Sequence, residues 1–200
     1  MIAVDYHLAP EHKFPAAPND ADAAYLWVLQ HAKKFNGDPS TVAVRSESAG
    51  RNLAAVVSMM ARDKKTTLSI HQLLIYPVTN SDMDNASYKA YAEVKPLNKA
   101  MMKRFFKHYA VPQDGNNPYA MPMKAETVKG LPPASVITDE IDPLCTEGKE
   151  YADRLKNDGV PIAYKDFKGV THEFFDMGTI VPEAKKAEDF AVNEMNKSFS

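Results

Sequence analysis

Residues 41–62 read TVAVRSESAGRNLAAVVSMMAR and combine a short apolar segment with a longer apolar helix pattern. A strand is predicted over Thr41–Arg45, and a helix that begins at Ala49 is predicted for the rest. The connection between the two is very short and contains Ser48. In a strand–turn–helix junction of this kind the turn is sharp, so the serine hydroxyl stands exposed above the edge of a sheet.

The residues next to Ser48 leave two interpretations open. Ser46 and Gly50, two residues before and after it, are small enough for a strand and a helix to approach closely. A helix beginning at Ala49 also directs its positive end toward the serine. Taken alone, however, the same serine-rich segment is typical of a helix N-cap.

Strands and helices alternate along the remainder of the chain. This alternation predicts an α/β fold with a parallel sheet that carries helices on both faces. The predicted strands are Met1–Tyr6, Thr41–Arg45, Leu73–Tyr76, Ala134–Thr138 and Ile162–Phe167, and the predicted helices are Ala21–Phe35, Ala49–Arg62, Lys99–Tyr109, Thr146–Asn157 and Pro182–Asn196.

Residues 81–130 differ in character, because they are polar and rich in methionine and aromatic side chains. The chain is expected to be one domain over residues 1–200, with residues 81–130 inserted as a cap over the strand ends. Met101 and Phe105, on the predicted helix of this segment, are candidates for lining a substrate pocket.

Composition excludes several classes of function. The net charge of −2 gives no electrostatic reason to expect nucleic acid or an anionic membrane as a partner. No apolar segment is long enough to span a bilayer, and no signal peptide opens the sequence. The single Cys145 excludes an internal disulfide and gives no zinc pattern, so a cytoplasmic location without cofactor or metal is expected. A homodimer is left open.

Four motifs occur in an order that resembles the hormone-sensitive-lipase-like esterases, and the resemblance extends over all 200 residues. They are Asp5-Tyr6-His7-Leu8-Ala9-Pro10-Glu11-His12 with Phe14–Pro18, Glu47-Ser48-Ala49-Gly50 with Asn52-Leu53-Ala54, Asp142-Pro143-Leu144 with Glu147-Gly148, and Gly169 with His172 and Phe174-Phe175.

The resemblance implies an α/β-hydrolase fold and hydrolysis of short-chain carboxylic esters by a serine carboxylesterase. It assigns Ser48 as the nucleophile, Asp142 as the acid and His172 as the base, with the backbone N–H of Ala49 in the oxyanion hole. The order Ser, Asp, His along the chain is that of α/β-hydrolases. The implied partner is a small-molecule ester.

Other histidines and acids compete for these roles. His7 and His12 lie in a proline-rich loop, where anchoring hydrogen bonds are the favoured interpretation. Asp139 and Glu140 lie close to Asp142, but the Asp-Pro-Leu motif favours Asp142 as the acid. His31 lies on a predicted helix with Lys33 and Lys34 and is expected to be solvated. His71 and His108 have no motif around them, and Cys145 is expected to be a packed small side chain.

Members of the family carry a His-Gly-Gly-Gly-like loop and further strands before the segment at which this sequence begins. The first glycine here is Gly37, so the fold is expected to be shortened at its N-terminus and to lack those oxyanion donors. The sheet would then have a gap, or the strands of Met1–Tyr6 and Thr41–Arg45 would pair directly, or another segment would fill the place.

A catalytically impaired fragment or a small-molecule binding module is the alternative function. Arg51 also departs from the family pattern, where a glycine is expected.

Overall fold

A computed structural model describes residues 1–47 and 49–200, without the side chains of Glu47, Ala49 and Arg51. In this part of the chain four strands form a fully parallel sheet, in which each strand pairs with the next along the sequence. The strands are β1 (Val44–Glu47), β2 (Gln72–Ile75), β3 (Ala134–Ile141) and β4 (Ile162–Thr171).

Helices connect the strands, as parallel pairing requires. Five 3₁₀ turns complete the regular structure of the described residues, at Ala32–Phe35, Pro39–Thr41, Pro112–Asn116, Pro122–Lys124 and Phe174–Asp176. The α-helices are α1 (Ala16–His31), α2 (Ala49–Asp63), α3 (Ala86–Ala90), α4 (Lys99–Tyr109), α5 (Cys145–Asn157) and α6 (Pro182–Phe199).

The two faces of the sheet bury two separate cores. Leu74 and Val136 face α2 and α5, with Tyr151 and Leu155 of α5 fully buried against them. Ile137, on the other face, packs against α6 and the turn that follows β4. Alternation of side chains along each strand produces this division, and both faces are therefore covered, as the sequence predicted.

The first helix begins earlier than the sequence indicated. A start at Ala21 was predicted, but α1 starts at Ala16, with Pro18 in its first turn. Proline is tolerated there because the N–H groups of a first turn have no partner within the helix. The Asp20 carboxylate is free to bind elsewhere, and it accepts hydrogen bonds from the backbone N–H of His7 at 2.9 Å and from its ring.

The predicted strand at Met1–Tyr6 is wrong. Residues 1–8 have no regular secondary structure, and Met1, Ile2 and Val4 are exposed. An extended segment becomes a strand only when a neighbour accepts and donates its backbone hydrogen bonds. Here a cleft of about 1100 Å³ lies between this segment, α1 and β1. The sheet therefore has a gap on the side of β1 that faces away from β2.

The segment at residues 81–130 has two parts. Tyr88, Leu97 and Met102, from its helical part, pack onto Leu144 in the loop that follows β3. Ala125 and Val128, from its last part, lie instead in the core beside α2 and α5. The helical part is thereby attached to the loops at the carboxyl ends of the strands.

No helix among the described residues is both long and apolar enough to cross a bilayer.

Candidate active site

The carboxyl ends of three strands bring the predicted residues to one edge of the sheet. Asp142 follows the last residue of β3, and His172 follows the last residue of β4. Ser48 itself lies outside the described residues, but β1 ends at Glu47 and α2 begins at Ala49 on either side of it. Parallel strands end at the same edge of a sheet, which is where α/β proteins place their sites.

His172 and Asp142 form a buried hydrogen-bonded pair. The distance between His172 Nδ1 and Asp142 Oδ2 is 2.6 Å, and their side chains are 3% and 0% exposed. A carboxylate on Nδ1 fixes the tautomer in which Nε2 carries the lone pair, and it stabilises the imidazolium when Nε2 takes a proton. This arrangement suits a general base.

The acid loop, which follows β3 and carries the predicted acid Asp142, is held by backbone and side-chain hydrogen bonds. The Leu144 N–H donates to Asp142 Oδ1 at 2.8 Å, so both carboxylate oxygens of Asp142 have partners. Glu147 is fully buried in α5, and its Oε1 accepts from the N–H groups of Thr79 at 2.7 Å and Asn80 at 3.2 Å. Burial raises the pKa of Glu147 well above its ordinary value. Glu147 thus ties the loop after β2 to the loop that carries the acid.

The loop that carries His172 is fixed by its neighbours. Glu173 adopts a left-handed conformation with φ of 69°, and its side chain is exposed to solvent. The left-handed conformation of Glu173 reverses the direction of the backbone, so Phe174 and Phe175 enter the core directly after His172. Tyr76, at the end of β2, packs its ring against the imidazole with 4.5 Å between ring centroids.

Sequence reasoning missed Tyr76. Its position directly after β2, at the same edge as Asp142 and His172, was the available signal. Its φ of 44° is a conformation that non-glycine residues seldom adopt. Such strain is common at functional sites, where the surrounding structure stabilises it.

On the nucleophile side, Gly50 is required by close packing. A Cβ atom at this position would lie 3.2 Å from the Cβ of Ser46 and would overlap the Ser46 hydroxyl. The end of β1 and the first turn of α2 therefore approach as closely as the sequence argument demanded. The predicted oxyanion donor, the N–H of Ala49, belongs to the first residue of α2.

A cleft of about 950 Å³ opens beside these groups. Its walls come from α4, from the proline-rich loop near the N-terminus and from the site itself. Met101 and Phe105, the predicted pocket residues, are 38% and 48% exposed and line it. Other lining residues are Leu8, Gly50, Leu97 and His172.

Most rival histidines have other partners. His7 binds Asp20 through its ring at 2.7 Å and packs edge-on against His12, which is the anchoring role expected for this loop. His31 stacks on Trp27 of the same helix. His108 lies 3.5 Å from the Arg104 Nε on α4. None of these rings forms a hydrogen bond with Asp142 in the described part of the chain.

His71 is buried at the opposite edge of the sheet. Its Nε2 lies 2.9 Å from the hydroxyl of Ser135, and its Nδ1 lies 2.9 Å from that of Ser198. Burial lowers the pKa of His71, although the charge of Glu194 opposes this shift. A histidine kept neutral between two hydroxyls satisfies buried polar groups and lacks the carboxylate that a catalytic imidazole needs.

Cys145 is not a candidate nucleophile. Burial, with a further contribution from the charge of Asp166, raises the pKa of the Cys145 thiol to about 12. The reactive thiolate is therefore scarce at neutral pH.

Within the described residues, Asp139, Asp142 and His172 form a group with enough donor atoms for a metal ion. One ligand atom of each lies within 4.8 Å of the others, and all three residues are buried. A cation held by His172 Nδ1 and Asp142 Oδ2 would have to replace the 2.6 Å hydrogen bond between these two atoms. The geometry thus fits a hydrogen-bonded acid–base pair better than a metal centre.

Comparison with known proteins identifies relatives with consistent names. The chain is 35% identical over 191 residues to the carboxylesterase NlhH of Mycobacterium tuberculosis H37Rv and 33% identical over 186 residues to the ethyl acetate hydrolase of Pseudomonas putida. Among solved structures, an esterase of Pyrobaculum calidifontis superimposes with a TM-score of 0.92 at 40% identity.

The family model that matches residues 1–176 is described as the alpha/beta hydrolase fold. The two curated relatives are matched over 94% and 92% of this chain but over 60% and 58% of their own lengths. The Pyrobaculum esterase is matched over 98% of this chain and 66% of its own length. The chain therefore spans about 60% of the length of the curated relatives it matches.

Proposed function

Since this chain belongs to the alpha/beta hydrolase fold family, as its resemblance to hormone-sensitive-lipase-like esterases predicted, we propose that it hydrolyses short-chain carboxylic esters. Ser48 is the nucleophile of this proposal, His172 the general base and Asp142 the acid that orients it. Relatives named carboxylesterase and ethyl acetate hydrolase support the class of substrate.

The observation that carries the proposal is the hydrogen bond of 2.6 Å between His172 Nδ1 and Asp142 Oδ2. The pair stands at the carboxyl edge of the sheet, where β1 ends one residue before Ser48. A hydroxyl is a weak nucleophile at neutral pH and needs such a base within hydrogen-bond reach. His172 and Gly50, which is two residues from Ser48, line the same cleft, in agreement with this role.

The reaction proceeds in two halves. His172 Nε2 takes the Ser48 hydroxyl proton as the Ser48 oxygen bonds to the acyl carbon, and the carbonyl oxygen becomes an oxyanion. The imidazolium then gives this proton to the departing alkoxide, which leaves an acyl-enzyme. Water repeats the sequence, so the ester yields one acid and one alcohol.

Stabilisation of the oxyanion is assigned to the N–H of Ala49 and to the positive end of α2. No glycine-rich loop precedes Gly37 in these 200 residues to supply further donors. Removal of a single donor lowers turnover by roughly 10²–10³-fold in comparable sites. We therefore expect slow hydrolysis by the 200-residue chain.

The acyl or alcohol group is proposed to bind in the cleft of about 950 Å³ beside His172. Met101 and Phe105 of α4 supply apolar contacts there. The helical part of residues 81–130 acts as a cap in this proposal, a role supported by the packing of Tyr88 and Met102 against Leu144 of the acid loop.

We also propose that the protein acts in the cytoplasm, where the thiol of the single Cys145 stays reduced. Dimer formation stays an open prediction, and light scattering coupled to size-exclusion chromatography measures it directly.

Hydrolysis of p-nitrophenyl acetate, butyrate and dodecanoate by the 200-residue chain tests the proposal. We expect slow turnover that favours the two shorter esters and disappears in Ser48→Ala. Ser58→Ala is the matched control, because the Ser58 hydroxyl is buried in the same helix and donates to the Ala54 carbonyl. Equal activity in Ser48→Ala and the unsubstituted chain would contradict the assignment of the nucleophile.

A further inference from the structure

A second buried carboxylate lies beside the catalytic pair. Asp139 is fully buried, and one of its carboxylate oxygens lies within 4.8 Å of both a ring nitrogen of His172 and an oxygen of Asp142. The pairing of β3 with β4 shifts register between Asp139 and Ile141. Irregularities of this kind redirect side chains and occur frequently beside active sites.

Asp139 is not needed to hold the acid in place. Asp142 already accepts from His172 at 2.6 Å and from the Leu144 N–H at 2.8 Å, so each of its oxygens has a donor. Opposite charges at this distance attract, so a buried carboxylate here stabilises the positive charge that His172 acquires during the reaction.

We propose that Asp139 is a positioning residue that stabilises the His172 imidazolium and replaces Asp142 as the acceptor of the ring N–H when Asp142 is lost. The inference rests on the proposed function, because the imidazolium arises when His172 takes the Ser48 proton. Asp139 acts through His172 and makes no contact with substrate.

The isosteric substitution Asp139→Asn removes the charge and keeps the volume. We expect kcat to fall about tenfold, since the interaction is strongest when His172 is charged in the transition state, while KM changes less than about twofold. A merely structural role would instead lower the melting temperature and change both constants.

The combination of two substitutions separates a backup acceptor from an independent effect. In Asp142→Asn the Asp139 carboxylate still supports the imidazole, whereas in Asp139→Asn/Asp142→Asn no carboxylate of the pair remains. We expect kcat of the double variant to be at least about tenfold lower than the product of the two single effects predicts. A double variant whose kcat equals the product of the two single effects would overturn the proposal.

Glu140→Gln provides the matched control. Glu140 is the next acid on β3, but it is half-buried, lies 3.5 Å from Lys168 Nζ and accepts from the Gly169 N–H at 2.9 Å. Glutamine keeps an acceptor at this position. We expect kcat to stay within about twofold of the unsubstituted chain.

Proton NMR tests the inference without relying on turnover. A ring N–H that donates to a carboxylate forms a short, charge-assisted hydrogen bond and gives a resonance at unusually low field. We expect this His172 resonance to be retained in Asp142→Asn and lost in the double variant, whether or not the chain hydrolyses esters. If the resonance is already lost in the single variant Asp142→Asn, the proposal is overturned. If the parent chain does not hydrolyse esters, the proposed function fails, but the test of Asp139 still stands.

Discussion

The molecule has two buried histidines that bond to neighbours through Nδ1, one at each edge of the sheet. His172 follows β4 at the carboxyl edge, and its partner is the Asp142 carboxylate at 2.6 Å. His71 precedes β2 at the amino edge, and its partners are the hydroxyls of Ser135 and Ser198, each at 2.9 Å. Both rings are about 3% exposed.

A hydrogen bond between a histidine and a serine is not sufficient for a general base, because the imidazole also needs a carboxylate on its other nitrogen. His71 has two serines within hydrogen-bond distance, yet its environment disfavours the imidazolium, because burial lowers its pKa. His172 has a carboxylate as the partner of its Nδ1, and it opens on the cleft beside α2. The charge of the partner and the end of the strands at which each ring lies therefore distinguish His172, the proposed base, from His71.

The largest effect is expected from His172→Ala. This substitution removes the proposed base, so kcat for p-nitrophenyl acetate should fall by roughly 10²–10⁴-fold, the usual contribution of general acid–base catalysis. His31→Ala is the control, since that ring stacks on Trp27 at the surface of α1. If kcat of His172→Ala falls by less than about tenfold, His172 is not the general base and does not differ in role from His71.

Gly50→Ala tests the packing on the nucleophile side of the same edge. The added methyl group would overlap the Ser46 hydroxyl, so we expect the free energy of unfolding to fall by about 1–3 kcal/mol, with a parallel loss of turnover. Ser46→Gly/Gly50→Ala removes the overlapping side chain and should recover most of the stability in urea unfolding. Equal instability of the single and the double variant would show that this close approach is unimportant.

The smallest effect on activity is expected from His71→Asn, which should hydrolyse p-nitrophenyl acetate within about threefold of the parent chain. Its effect lies in the pH dependence of stability. The pKa of His71 is lower in the folded state than its ordinary value of 6.5, so the folded protein binds fewer protons than the unfolded chain. The contribution of His71 is therefore fully present above pH 6.5 and is lost as the pH falls through the lowered folded-state pKa.

Urea unfolding of His71→Asn and the parent chain between pH 7.5 and pH 4.5, a range of about three units around the ordinary histidine pKa, measures this contribution. The parent chain should lose more stability on acidification than the variant does. The same slope in both proteins would mean that His71 is not held neutral by burial.

Much of the helical structure was predictable from local pattern. The amphipathic run at Lys99–Tyr109 and the proline at Pro182 gave the correct first residues of α4 and α6. The helix after Ser48 was correct within one residue at its end, where α2 reaches Asp63. These elements have apolar periodicity and start signals within their own sequence, so distant partners were not needed to predict them.

Features that depend on partners were not predictable in the same way. Met1–Tyr6 has the apolar composition of a strand, but no described strand lies next to it to complete the pairing. Helix α1 was predicted to begin at Ala21 but begins at Ala16, and the Asp20 carboxylate within it binds the ring of His7. The role inferred for Asp139 follows from a distance to His172 across two strands, which no motif in the sequence encodes.

Covalent trapping of the nucleophile is the decisive measurement for the proposed ester hydrolysis. The 200-residue chain is incubated with a p-nitrophenyl phosphonate, and the modified residue is located by peptide mass spectrometry. The proposed mechanism predicts one adduct, on Ser48, which forms far more slowly in His172→Ala and at an unchanged rate in His71→Asn. An adduct on Ser135 or Ser198, or the absence of any adduct on Ser48, would contradict it.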